Sequence, residues 1–168
     1  MKIIFTRSSL ILSRIIRFLS GEPVSHMAIV FDDKLLFQSN LLGVKLSWFA
    51  TFKRHSEIVY TLDYDLGLLD QEQIYQSIIT NFDGKDYDYG AFLYFMWRGI
   101  LLKLFKTPLP KRNAWGSPDR YLCDELVHVL PEPLRIDSDV DLMTPYQVYL
   151  ELKRRKDGQE NGAPTQGN

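Results

Sequence analysis

The chain has 168 residues, 45% hydrophobic and 24% charged, with Lys plus Arg at 20 and Asp plus Glu at 21. That is enough for one domain, too apolar for a disordered chain, and with Cys123 as the single cysteine no intramolecular disulfide can form. A net charge of −1 gives no general drive toward nucleic acid, and no nucleic-acid partner is expected.

In chain order, KIIF (Lys2 to Phe5) reads as a strand. Ser8 or Ser9 is a candidate cap for a helix running to about Leu19, with Leu12, Ile15, Ile16 and Leu19 on one stripe and Gly21 to Pro23 ending it. Val24 to Phe31 and Leu35 to Ser39 read as a hairpin around a tight Asp32-Asp33 turn. Leu41 to Leu46, with Gly43, continues the sheet after a bend; Ser47 to Phe52 is a helical turn, and Glu57 to Leu62 a further strand. A helix starts at Asp70, with Ile74, Ile78 and Phe82 on one face, and stops at Asp83-Gly84. A long apolar helix, weakened by Gly90 and Gly99, reaches Phe105. Thr107 to Asp119 reads as a loop whose Ser117-Pro118-Asp119 is a helix-start signal. Tyr121 to Leu130 reads as a helix stopped by Pro131 and Pro133. Asp137 to Asp141 is an acidic loop, and Thr144-Pro145 opens a last helix to Arg154. Residues 154–168 form a tail expected to be disordered, leaving a domain over 1–153. Strands precede helices, so the fold class is α+β with an antiparallel sheet.

Three residues invite chemistry. His26 alternates with Val24, Ala28 and Val30 on one face of its strand, as a hydrogen-bonded core histidine or as a general base. Cys123 stands at the start of an amphipathic helix, where unpaired N–H groups favour a thiolate, although Asp124 and Glu125 oppose it. Gln38 lies in the partner strand of His26. A two-residue turn pairs Met27 with Gln38 and sends the amide to the opposite face; a three-residue loop or a bulge sends it to the imidazole's face. Cys123, His26, His55 and His128 show no metal-ligand spacing, and no cofactor is expected. The Ala91–Phe105 segment carries aromatics, Met96, Arg98 and Lys103. It is a core helix or a candidate membrane-surface or partner contact, and it is too short to span a bilayer.

Ser25-His26-Met27-Ala28-Ile29-Val30, then Gln38, then Cys123-Asp124-Glu125-Leu126-Val127 together resemble the permuted NlpC/P60 branch of the papain-like cysteine hydrolases, whose relatives include lecithin:retinol acyltransferase-like enzymes. Gly84 to Tyr89 (GKDYDY) and Thr144-Pro145 are similar to two further family segments, so the resemblance covers about residues 1–152. It implies a circularly permuted papain-like fold, an antiparallel sheet packed against a nucleophile-bearing helix. It also implies a site of Cys123, His26 and Gln38, the last a neutral amide where relatives often carry Glu or His. The implied activity is thiol acyl transfer on an amide, in a peptide, an isopeptide or cell-wall peptide. The alternatives are a lipid-directed acyl hydrolase or acyltransferase, and an inactive structural module of a larger assembly such as a phage particle. The partner expected is a peptide or acyl substrate. With neither a signal peptide nor a transmembrane segment legible, the expected compartment is the cytoplasm, with a phage-borne protein as the other route.

Overall fold

A computed structural model describes residues 1–106, 115, 120–130, 135–136 and 143–162. Its centre is a five-stranded antiparallel sheet built from β1 (Lys2–Ser8), β2 (His26–Phe31), β3 (Leu35–Asn40), β4 (Gly43–Trp48) and β5 (Ser56–Asp63), in the order β4-β3-β2-β1-β5. The apolar runs KIIF, MAIVF and LLF are continuous rather than alternating because the inner strands are covered on both faces. Ile3, Phe5, Met27, Ile29 and Phe37 turn to one side. There they meet Ile74 and Ile78 of α3 (Leu68–Asn81), Leu126 and Val127 of a short 3₁₀ helix (Asp124–Val129), and Val148 and Leu152 of α5 (Pro145–Gly162). Ile4, Ala28, Val30 and Leu36 turn to the other side, under Phe49 of α2 (Phe49–Phe52). The α+β class with an antiparallel sheet therefore holds.

The β2–β3 connection departs from the tight turn. Phe31 pairs with Leu35, leaving Asp32, Asp33 and Lys34 as a three-residue loop, with the Lys34 N–H donating to Phe31 O at 3.0 Å. Asp32 and Asp33 both take positive φ, 48° and 55°, a region that short polar side chains tolerate better than most. The extra residue shifts the register by one and reverses which face each β3 side chain takes.

Other elements differ from the sequence reading at their ends. The first strand continues to Ser8 because β5 pairs with it as far as Ser56. Ser8 and Ser9 therefore do not cap α1 (Ile11–Ser20), which starts behind Leu10 with no side-chain cap. Instead the Ser8 N–H donates to Ser13 Oγ at 3.0 Å. After α4 (Tyr89–Ile100) the helix widens to a π turn over Leu101–Phe105. Tyr121, expected at a helix start, belongs with Arg120 to the two-residue strand β7, which pairs in parallel with β6 (Asp86–Tyr87). The helix expected over 121–130 is thus the 3₁₀ run that begins after Cys123. At the C-terminal end α5 runs to Gly162, past Arg154, so 154–162 are helical where disorder is expected. Glu151 bonds Arg154 and Arg155, and Lys153 bonds Asp157, pairs that support the helix beyond its apolar stripe. Thr144 and Gln147 form a reciprocal capping box at its start, at 2.9 and 3.1 Å. The Ser117 to Asp119 signal, the Pro131 and Pro133 stop, the Asp137–Asp141 loop and residues 163–168 lie outside the described residues.

Strand β4 is joined to the segment leading into β6. The Val44 N–H donates to Lys85 O at 2.8 Å and the Gly84 N–H to Val44 O at 3.1 Å. Gly43, at φ 98°, sits so close to this segment that a Cβ would stand 2.7 Å from the Lys85 carbonyl oxygen. Gly43→Ala combines that clash with a disfavoured φ and is expected to cost about 1–3 kcal/mol in a urea unfolding titration. Gly84→Ala, at φ 76° but with open space around it, is expected to cost less.

Candidate functional site

His26 opens β2 and follows the parity of Ala28 and Val30, so its ring lies on the α2 side of the sheet, 6.0 Å from the Phe52 ring centroid. The three-residue loop brings Gln38 to the same side. The two side chains meet directly: His26 Nε2 lies 3.1 Å from Gln38 Oε1. Gln38 Nε2 donates in turn to Ser47 Oγ at 3.0 Å. Because the amide nitrogen is committed to Ser47, the amide oxygen faces the ring, and Nε2 must carry the proton it accepts. The lone pair is then on Nδ1. Ser47 escaped the sequence reading. It stands opposite Leu36 in β4, and that pairing places its hydroxyl on the Gln38 face.

Burial pushes the His26 pKa down to about 4, against the upward pull of the Gln38 hydrogen bond. The imidazole is therefore neutral at pH 7. Gln38 orients it without adding charge, as expected of an amide.

Cys123 reaches the site from the other side of the sheet. Ser39, fully buried, donates through Oγ to the Tyr121 carbonyl at 2.6 Å, and the Asp88 N–H approaches the same oxygen at 3.4 Å. The Glu125 carboxylate turns back to accept the Leu122 N–H at 2.5 Å. These bonds fix the chain on either side of Tyr121-Leu122 and deliver a buried Cys123 just ahead of the 3₁₀ helix. The expected help from a helix dipole is slight, because six residues of 3₁₀ geometry sum few aligned peptide dipoles.

All three residues singled out from the sequence, His26, Gln38 and Cys123, line one cavity of about 430 Å³ at the end of the sheet, together with Ser25, Ser47 and Tyr87. His26 makes its side-chain hydrogen bond to Gln38; what it shares with Cys123 is the cavity wall. The rim is held by a buried hydroxyl pair, Ser13 Oγ and Ser25 Oγ at 2.6 Å, which ties α1 to the residue before His26. His55 also borders the cavity, and His128 lies elsewhere in the 3₁₀ helix. Among the described residues no group of three His, Cys, Asp or Glu side chains gathers as a metal site, and no helix is long and apolar enough to cross a membrane.

Comparison with family models, with curated proteins and with solved structures finds no match to this chain.

The depressed His26 pKa has a consequence for stability. Between pH 6.5 and 4 the unfolded chain takes up a proton that the folded chain refuses. The contribution is thus fully present above pH 6.5 and lost as pH falls, by up to about 3 kcal/mol at pH 4. His26→Gln removes this proton uptake. Urea unfolding of both proteins at pH 7 and pH 4 is expected to show wild type losing more stability than the variant over that interval.

Proposed function

We propose that the protein is a cysteine hydrolase that acts by thiol acyl transfer on an amide, in a peptide, an isopeptide or cell-wall peptide. The observation that carries this reading is the common cavity: a thiol and an imidazole that already holds its orienting amide border the same space. The order of the Ser25-His26, Gln38 and Cys123-Asp124-Glu125 segments along the chain supports it, through their resemblance to the permuted NlpC/P60 hydrolases.

The chemistry follows from the tautomer. Nδ1 of a neutral His26 takes the thiol proton as Sγ attacks the carbonyl carbon, and the C–S bond forms. The C–N bond then breaks, with the proton passing from the imidazolium to the departing amine. Water, deprotonated by the same nitrogen, attacks the thioester, releases a carboxylic acid and restores the thiol. With a base of pKa about 4, proton transfer accompanies attack rather than preceding it. Gln38 lends orientation and no charge, which makes the imidazolium less stable than beside a carboxylate and the turnover correspondingly slower.

A lipid-directed acyl hydrolase or acyltransferase is the second reading. It draws on the α4 and π-turn surface, where Leu93, Trp97, Leu104 and Phe105 are exposed. These residues crowd one end of the molecule beside α1, where Lys103 Nζ donates to Phe18 O. Release of product from muropeptides against release from acyl esters separates the two.

Under the hydrolase reading, Cys123→Ala abolishes amide turnover and His26→Ala lowers it by about 10²–10⁴-fold. Gln38→Leu, which leaves the ring without its partner, gives a smaller loss. No turnover of any amide, or turnover that Cys123→Ala and His26→Ala both leave unchanged, would falsify the reading.

A further inference from the structure

Cys123 borders a second cavity, on the α1 and α4 side, of about 170 Å³. Its walls are mainly apolar, with Leu19, Phe95, Leu102 and Met143 among them, and Arg98 of α4 and Glu22 stand among its polar lining residues. Both carry buried polar atoms with no hydrogen-bond partner. For Arg98 these are Nε and Nη1; for Glu22, Oε2. The Arg98 guanidinium carbon stands 5.6 Å from the Phe95 ring centroid, a contact that orients the group and leaves its N–H bonds unanswered. Burial lowers the Arg98 pKa and raises that of Glu22, where hydrogen bonds from Thr144 and Ser20 pull the carboxyl back down. Buried N–H groups of a cation are costly to leave unpaired, and a guanidinium N–H donates strongly to a carboxylate oxygen.

We infer that this cavity holds the C-terminal residue of a peptide substrate. The apolar side chain fills the cavity, the α-carboxylate pairs with Arg98, and a peptide N–H answers Glu22. A space of this size suits an aromatic or branched aliphatic side chain, since an engineered apolar cavity of about 150 Å³ takes up benzene. A short fatty acid offers the same carboxylate and apolar body but no N–H, and it leaves the Glu22 oxygen unmet. A free α-carboxylate beside the scissile bond also sets the direction. The residue in this cavity is on the amine side of the bond, and the product released from it is an apolar amino acid. This assignment of the leaving side rests on the amide-hydrolase reading; the binding of an apolar carboxylate does not.

The test uses the full chain with Cys123→Ala, so that no turnover interferes, and measures calorimetric binding of N-acetylphenylalanine, N-acetylphenylalaninamide and 3-phenylpropionate. The carboxylate is expected to bind at least about tenfold more tightly than the carboxamide, the equivalent of about 1.4 kcal/mol. 3-Phenylpropionate, lacking the N–H, is expected to bind more weakly than N-acetylphenylalanine. In Arg98→Met the preference for carboxylate over carboxamide disappears, and the comparison among ligands on the parent protein stands even if that variant does not fold. Equal binding of carboxylate and carboxamide, or none at millimolar concentration, overturns the inference. So does 3-phenylpropionate binding as tightly as N-acetylphenylalanine, which assigns the cavity to fatty acids. Turnover failing while the carboxylate preference persists removes the hydrolase reading alone; turnover persisting without the preference removes only this inference.

Discussion

The site depends on a count of residues in one loop. Asp32, Asp33 and Lys34 separate Phe31 from Leu35, and the odd number puts Gln38 on the same side of the sheet as His26. One residue fewer and the amide turns toward the α3 and α5 core, where Phe37 now packs, leaving the imidazole without its partner. The two positive-φ aspartates are what that loop costs locally. The downstream chain of contacts, from His26 to Gln38 to Ser47, exists because β3 and β4 inherit the register.

The consequence is chemical as well as geometric. An amide that accepts from Nε2 fixes the tautomer and leaves Nδ1 as the basic atom, while burial keeps the ring neutral. A carboxylate in the same place adds a charge and favours a resting thiolate–imidazolium pair. Under the hydrolase reading, the local balance favours a base that acts only as the thiol attacks.

Cys123 lies where two differently built cavities meet. The larger holds the imidazole and several hydroxyl groups; the smaller is apolar, with an arginine and a glutamate whose buried polar atoms lack partners. Both are held open by the same framework. Ser39 fastens the Tyr121 carbonyl to the sheet, and Asp88 both approaches that carbonyl through its N–H and caps α4, accepting from the Ala91 N–H at 2.8 Å. Gly90 follows immediately; a Cβ there would stand 2.4 Å from the Trp115 carbonyl oxygen. The wall of the smaller cavity and the position of the thiol are therefore set by neighbouring residues of one segment.

How much of this was legible in the residues follows from the range of each interaction. The sequence by itself determined the α+β class, the stop at Gly21 and the Thr144-Pro145 helix start, because periodicity, turn residues and caps act within a few positions; the candidate trio of histidine, glutamine and cysteine came with the family resemblance. The length of the 3₁₀ helix, the extension of α5 and the strand at Arg120–Tyr121 escaped it, because they answer to ion pairs and to β6, features that compete with local propensity. Only the tertiary structure decided the side of the sheet that Gln38 takes, the Ser47 partner and the presence of Arg98 and Glu22 in the lining of one cavity. Each of these joins segments of the chain that are separated in sequence, and a shift of one residue in register, invisible to composition, exchanges one face for the other.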